Sequence, residues 1–303
     1  MLLRIAGGLI GVLVLAALAV LVQDWRMGRA NSLGPVPEGA VRIATHNVHY
    51  IVLNAEEGRW SVGDWEERRN ALDLAFKTLD ADIVAFQEME SFARGSDGSV
   101  NLARDWLLEH NPGYAAAASG DWREFPSTQP ILYRTDRMEL VDQGWFFFSD
   151  TPDVIYSRTF NGSYPAFTSW AQFRLNDGGL LRVVNLHTDY ASRDNRRQSL
   201  ALVAERIAPW MAAGEAVVVL GDFNALRSSR LIDPIEAQGV SFLRVRGATV
   251  HFDRGIDILP PIDLIGHSDA LSAIGPPRVL RERYDGVWPS DHYPVVADFR
   301  LSP

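Results

Sequence analysis

The run Ala216-Val217-Val218-Val219-Leu220 passes directly into Gly221-Asp222-Phe223-Asn224-Ala225, and no other stretch limits the fold more. Five apolar residues without polar alternation read as a strand covered on both faces. Such a strand needs a neighbour on each edge and a packed layer above and below. It ends in a carboxylate and a carboxamide two residues apart, and side chains at that spacing share a face of extended backbone. Two oxygen-bearing groups at the end of a rigid element suit a hard cation or a phosphate group.

Other segments supply the layers. Val41 to Asn47 alternates as a strand, and Asp82 to Gln87 reads as a buried strand ending at Glu88. Trp65 to Leu79 has apolar residues at helical spacing, Leu102 to His110 is a short helix, and Arg196 to Met211 is an amphipathic one. Phe167 to Leu175 and Leu180 to His187 flank a hairpin turn at Asn176-Asp177-Gly178-Gly179. Ile131 to Arg134 and Met138 to Phe148 are expected to pair about a turn at 135–137. Short strands are expected over 249–252 and 262–265, and a last strand over 293–301. Hairpins mixed with strand–helix units predict two packed, mixed sheets with helices outside.

A hydrophobic fraction of 47% and nine tryptophans support a sizeable core. There is no cysteine, which excludes disulfides, thiolate metal sites and cysteine nucleophiles. A net charge of −9 argues against a broad basic face for duplex DNA, so nucleic acid is not the favoured partner. Ile5 to Val22 carries no charge and would span roughly 27 Å as a helix. Residues 1–29 are therefore expected to form a transmembrane anchor, or alternatively a secretory signal with Ala17-Leu18-Ala19 as its cleavage site. Both readings put the domain outside the cytoplasm, and the first makes the membrane a partner. Residues 30–40 are rich in Pro and Gly and read as a linker to a single domain over 41–303. No obligate protein partner is evident.

Polar residues recur at strand ends: Asn47, Glu88, His187, Asp222 with Asn224, Asp263, and Asp291 with His292. Each has a plain reading alone, as a solvated turn residue, a hydrogen-bonded structural histidine or a turn cap. Together the segments Thr45-His46-Asn47, Phe86-Gln87-Glu88, Asn185-Leu186-His187, Gly221 to Ala225, Ile262 to Ile265 and Ser290-Asp291-His292 form an ordered set. In order and spacing, over residues 41 to 301, they resemble the endonuclease/exonuclease/phosphatase superfamily. Pro130 to Arg137, Ser149 to Asp153 and Tyr284 to His292 are similar to its exported bacterial branch.

The resemblance implies an α/β fold, a four-layered α/β/β/α sandwich of two mixed sheets flanked by helices. It also implies a divalent-metal-dependent phosphoester hydrolase. Mg²⁺, with Mn²⁺ as a substitute, would sit at Asn47 and Glu88, with Asp291 as a further ligand. Asp222 would orient or deprotonate the attacking water, and Asn224 would hold the phosphate. His292, paired with Asp291, would stabilise the transition state or move a proton. His187 would contact the phosphate or act as acid toward the leaving group, and Asp263 would orient a histidine or a second metal. Arg158 and Arg196 could clamp a phosphate or serve only as surface ion pairs. Two departures stand out. Phe125 to Gln129 holds no tyrosine where several relatives have one, and Ala166 stands where relatives of the exported branch often carry arginine. The expected reaction is phosphodiester cleavage on a phospholipid or other small diester. An extracytoplasmic nuclease is the alternative, and an inactive membrane-anchored binding protein is the alternative of another class.

Overall fold

A computed structural model describes residues 2–29, 33–94, 99–162 and 164–302, the side chains of 2–13 excepted. Along the chain the helices are α1 (Leu2–Met27), α2 (Val62–Leu79), α3 (Leu102–His110), α4 (Arg193–Ala212) and α5 (Asp233–Glu236). The strands are β1 (Val41–Asn47), β2 (Ile51–Val52), β3 (Ile83–Gln87), β4 (Ser91–Phe92), β5 (Tyr114–Ala117), β6 (Ile131–Arg134) and β7 (Met138–Phe147). They continue with β8 (Phe167–Leu175), β9 (Leu180–His187), β10 (Ala216–Asp222), β11 (Ser241–Phe242), β12 (Asp263–His267), β13 (Leu271–Ala273), β14 (Arg278–Val279) and β15 (Val295–Leu301).

One sheet runs β13-β15-β1-β3-β6-β5, with β14 also on β15; the other runs β11-β12-β10-β9-β8-β7. Both mix parallel and antiparallel pairs, since β1 and β3 are parallel, as are β9 and β10. The apolar run of β10 now has its explanation. Val218 and Leu220 enter the core between the sheets, while Val217 and Val219 pack on the outer side with Leu200, Val203 and Ile207 of α4. β3 is built the same way, with Ile83 and Ala85 inside and Val84 and Phe86 beneath α2 and α3. Each valine, leucine, isoleucine or phenylalanine among them, fully buried, stabilises the fold by about 1.5–3 kcal/mol. The result is the expected α/β/β/α sandwich.

Helix starts follow their caps. Ser61 Oγ accepts from Asp64 N at 3.0 Å and Ser192 Oγ accepts from Asn195 N at 3.2 Å, so α2 and α4 begin three residues earlier than periodicity suggested. One pairing differs from expectation. Strands 131–134 and 138–147 do not form a hairpin; β6 pairs with β3 and β5, whereas β7 pairs with β8. The turn at 135–137 hands the chain from one sheet to the other. Residues 249–252 form no strand beyond a single bridge, Val250 to His292.

The N-terminal reading also needs qualification by position. Part of the expected 5–22 segment lies outside the described side chains. Val14, Leu15, Leu18 and Leu21 are each at least half exposed. Among the described residues, no helix is long and apolar enough to cross a membrane.

Candidate active site

Strand parity places the polar residues. On β1 the inward residues Val41 and Ile43 are followed by Thr45 and Asn47; on β9, Leu181 and Val183 are followed by Asn185 and His187. Asp222 continues Val218 and Leu220, and Asp263 precedes Ile265 on the same face. One end of the inter-sheet core is therefore polar, and these residues are its mouth. Register brings His187 and Asp263 to either side of Asp222. Below them Gln87 Nε2 donates to Asn185 Oδ1 at 2.6 Å, and Asn185 Nδ2 donates to Phe86 O at 2.8 Å, tying the two sheets directly under the site.

Asn47 joins the sheets at the mouth itself. Its Nδ2 donates to Glu88 Oε1 at 3.0 Å and to Asp222 Oδ2 at 3.1 Å. His187 Nε2 lies 3.7 Å from Glu88 Oε1 and 3.6 Å from Asp222 Oδ2, and His292 Nε2 lies 3.9 Å from Asp222 Oδ2 on another side. Asn224, at φ +44°, donates its backbone N–H to Asp222 Oδ1 at 2.8 Å and its side-chain amide to Thr188 O at 2.9 Å. Glu88 also has a positive φ, +53°, which turns it out of the β3 ladder.

The expected Asp291–His292 pair is not formed. His292 Nδ1 lies 3.0 and 3.2 Å from the two oxygens of Asp263. Neighbours in an extended segment point to opposite sides, so Asp291 turns away and accepts from Arg59 Nη2 at 2.7 Å. Its carboxylate groups with His49 and Asp253, one ligand atom of each lying within 4.8 Å of the others, rather than with Glu88 and Asn47. A cavity of about 450 Å³ lined by His49, Arg59, Arg68, Asp253 and Trp288 opens there. Arg158 and Arg196 are both engaged by loop backbone: Arg158 donates to Gly162 O, and Arg196 Nη1 to the carbonyls of Asp189 and Tyr190 at 2.7 and 2.8 Å.

Protonation follows from this packing. Burial pushes Asp222 up to about 6, helped by the charge of Asp263 and opposed by His292 and His187. Burial alone would depress His292, but the charge and hydrogen bond of Asp263, with Asp222 and Asp291, hold it well above the usual histidine range. His46, wholly buried with Nε2 3.2 Å from His292 O, is pushed down to about 3 by desolvation and stays neutral.

Searches of curated proteins and of family profiles give no match. Solved structures do. An endonuclease/exonuclease/phosphatase family protein from Bacteroides thetaiotaomicron superposes with a TM-score of 0.72 at 25% identity, covering 87% of this chain and 98% of its own. The fold is that of the endonuclease/exonuclease/phosphatase family. The mannosyl-6-phosphatase of Bacteroides thetaiotaomicron matches equally, at TM-score 0.72 and 25% identity, over 86% of this chain and 100% of that one. A family protein from Bacteroides vulgatus has TM-score 0.71 and 23% identity, over 87% and 99%.

Within this endonuclease/exonuclease/phosphatase fold, three residues escape the sequence reading. Glu90 is pushed up to about 7 by burial and by the charge of Glu88, two residues before it; a second carboxylate that close in sequence was the available signal. Arg68 of α2 donates to the carbonyls of Val48, His49 and Pro289 at 2.9–3.2 Å, fixing the loop that follows Asn47 and the one that carries Asp291. A helix arginine gives no such signal in sequence. Tyr164, ahead of β8 rather than β6, is half exposed, and its phenol is raised by partial burial and then by the charges of Asp189, Glu88 and Glu90.

Proposed function

We propose that this chain is a divalent-metal-dependent phosphoester hydrolase that cuts phosphodiesters. The observation that carries the reading is the convergence of Asn47, Glu88, His187, Asp222 and His292 from two sheets onto one point. A neighbour of the same fold at 25% identity bears the name of a phosphatase, which supports phosphoester chemistry.

The donor set fits a hard cation. Glu88 and Asp222 present carboxylate oxygens, and among the described residues Asn47 Oδ1 accepts only from His49 N at 3.1 Å, one bond for its two lone pairs. Glu88 and Asn47 would hold Mg²⁺, or Mn²⁺, which shares its preference for oxygen. A cation held there would supply neutralisation of the charge that develops on the phosphoryl oxygens.

The protein's own groups divide the remaining work. Asp222 orients the attacking water and takes its proton; a carboxylate raised to about 6 is a stronger base than an exposed one. His292 keeps its proton through Asp263 and donates to a phosphoryl oxygen. His187, across Asp222 from His292, protonates the leaving oxygen. Asn224, fixed by Thr188 O, holds the phosphate. A singly charged diester meets less repulsion from Glu88, Glu90, Asp222 and Asp263 than a doubly charged monoester does.

Hydrolysis of bis-p-nitrophenyl phosphate with Mg²⁺, faster than that of p-nitrophenyl phosphate and abolished by EDTA, is the expected result. Full activity in Asp222→Ala would overturn the reading. The reading also includes a location outside the cytoplasm, with residues 1–29 as anchor. Its support is the uncharged run 5–22 and the exposure of the described part of α1. Release of the protein from membranes by alkaline washing would overturn that part alone.

A further inference from the structure

The loop from Thr249 to Asp263 joins the active site to α1. At its base Thr249 O accepts from Tyr293 N at 2.8 Å, and His251 N donates to Asp291 O at 2.9 Å. Thr249 Oγ1 accepts from the backbone of Ile262 and Asp263 at 3.1 and 3.3 Å. Farther out it grips the end of α1. Asp257 N donates to Asp24 Oδ1 at 2.6 Å and Ala248 N to Met27 O at 3.2 Å, while Arg281 Nη1 donates to Arg29 O at 2.8 Å. The fit leaves no slack: a methyl group on Gly28 would lie 2.5 Å from Asp257 Oδ2, and one on Gly247 2.2 Å from Met27 O. The end of α1 is seated on the domain.

Around this seat apolar side chains face water. Trp25 is 62% exposed, Leu21 63%, and Phe252, Ile256 and Leu259 between 37 and 40%. Arg26, Arg29, Arg246 and Arg254 are exposed beside them, in a chain whose net charge is −9. Arg29 lies 4.1 Å over the Trp25 ring. Apolar tips, an indole and a collar of arginines form the pattern of a surface seated at a lipid–water boundary, where anionic headgroups attract the guanidinium groups.

The geometry points to a bilayer-contact surface formed by α1's last turns and the 252–259 loop tip, with anionic lipid as partner. It holds the mouth of the site at the membrane, so the substrate is a phosphoester carried by that membrane; this last step rests on the hydrolase reading above. Asp257 is six residues from both His251 and Asp263, so the seat is within roughly 20 Å of the site even for extended chain.

Because the chain lacks cysteine, Ile256→Cys, Leu259→Cys and Asp177→Cys each accept a single environment-sensitive fluorophore in the full-length protein. Asp177, in the β8–β9 turn, marks the opposite end of the sheets. On vesicles of phosphatidylcholine with phosphatidylglycerol, labels at 256 and 259 should shift to the blue while that at 177 does not. Unshifted labels at 256 and 259, or an equal shift at 177, overturn the surface. The double variant Ile256→Ser/Leu259→Ser should lose about tenfold in rate on a vesicle-borne phosphodiester and none on bis-p-nitrophenyl phosphate. Equal rates of wild type and variant on vesicles overturn the link to substrate. A wild-type protein inert on both substrates, with shifted labels, overturns the hydrolase reading and leaves the surface standing.

Discussion

Replacing Gly221 by alanine should cost far more than an ordinary glycine substitution, and the structure says why. Gly221 lies in β10 at φ +137°, and a β-carbon there would sit 1.9 Å from Leu186 O and 3.0 Å from Leu186 N. These are backbone atoms of β9, the adjoining strand, which cannot swing aside as a side chain can. Gly178 provides the control. It too has a left-handed φ, +88°, but nothing lies within 4 Å of its would-be β-carbon. Gly178→Ala should therefore lose only the conformational term, about 1 kcal/mol. Gly221→Ala adds forced displacement of a central strand, and about 4 kcal/mol in total is expected. Urea unfolding at neutral pH measures both. Asp222 follows Gly221 and His187 follows Leu186, so a separation of the two strands also misplaces the base and the acid. Displacement on the order of 1 Å at reacting groups lowers rate roughly a hundredfold, and Gly178→Ala should keep its full rate. Equal destabilisation of the two variants would refute the steric argument. A Gly221→Ala protein that unfolds easily yet turns over normally would refute the coupling of strand spacing to the site.

Asp263→Asn removes the charge that holds the His292 proton, so the alkaline limb of the rate profile should move to lower pH and kcat should fall roughly 10²–10⁴-fold; an unmoved limb would show that the proton on His292 is not needed for turnover. Glu88→Ala and Asn47→Ala should raise the Mg²⁺ concentration needed for half-maximal rate, read by metal titration after EDTA treatment, whereas Asp291→Ala should raise it less, since that carboxylate is taken up by Arg59. His46 makes folding acid-sensitive. Its folded value, about 3, lies below the unfolded 6.5, so the unfolded chain binds the proton first. Its contribution is complete above about pH 6.5 and declines from there toward pH 3, amounting to about 2 kcal/mol lost at pH 5. Urea unfolding of wild type and His46→Gln at pH 7.5 and 5 should show the smaller drop in the variant.

Residues whose environment is set by local pattern were legible in the sequence. The continuous apolar runs of β3 and β10 could be read directly as strands buried on both faces, whereas the convergence of Asn47, Glu88, His187 and Asp222 was implied by the resemblance. Partners chosen across the fold could not. Asp291 precedes His292 in sequence, yet Asp263, 29 residues away, holds the imidazole, because adjacent residues in extended chain diverge. The turn at 135–137 looks like a hairpin turn by composition, and only the packing of both flanks into different sheets shows it to be a crossing. β5 was missed because Tyr114-Ala115-Ala116-Ala117 has little intrinsic strand preference and is held by pairing with β6.

The crossing at 135–137 has a consequence for how the centre comes into being. Everything in the β7–β12 sheet is one uninterrupted stretch of chain, while the other sheet is stitched from the segments before and after it. Asn47 and Glu88 arrive with the first segment, His187, Asp222 and Asp263 with the inserted stretch, and His292 with the last. A nascent chain thus carries no half-working centre at any length. Turnover during refolding should appear only with the final docking event, which makes it a clock for closure of the sandwich that no spectroscopic measure of strand content would supply.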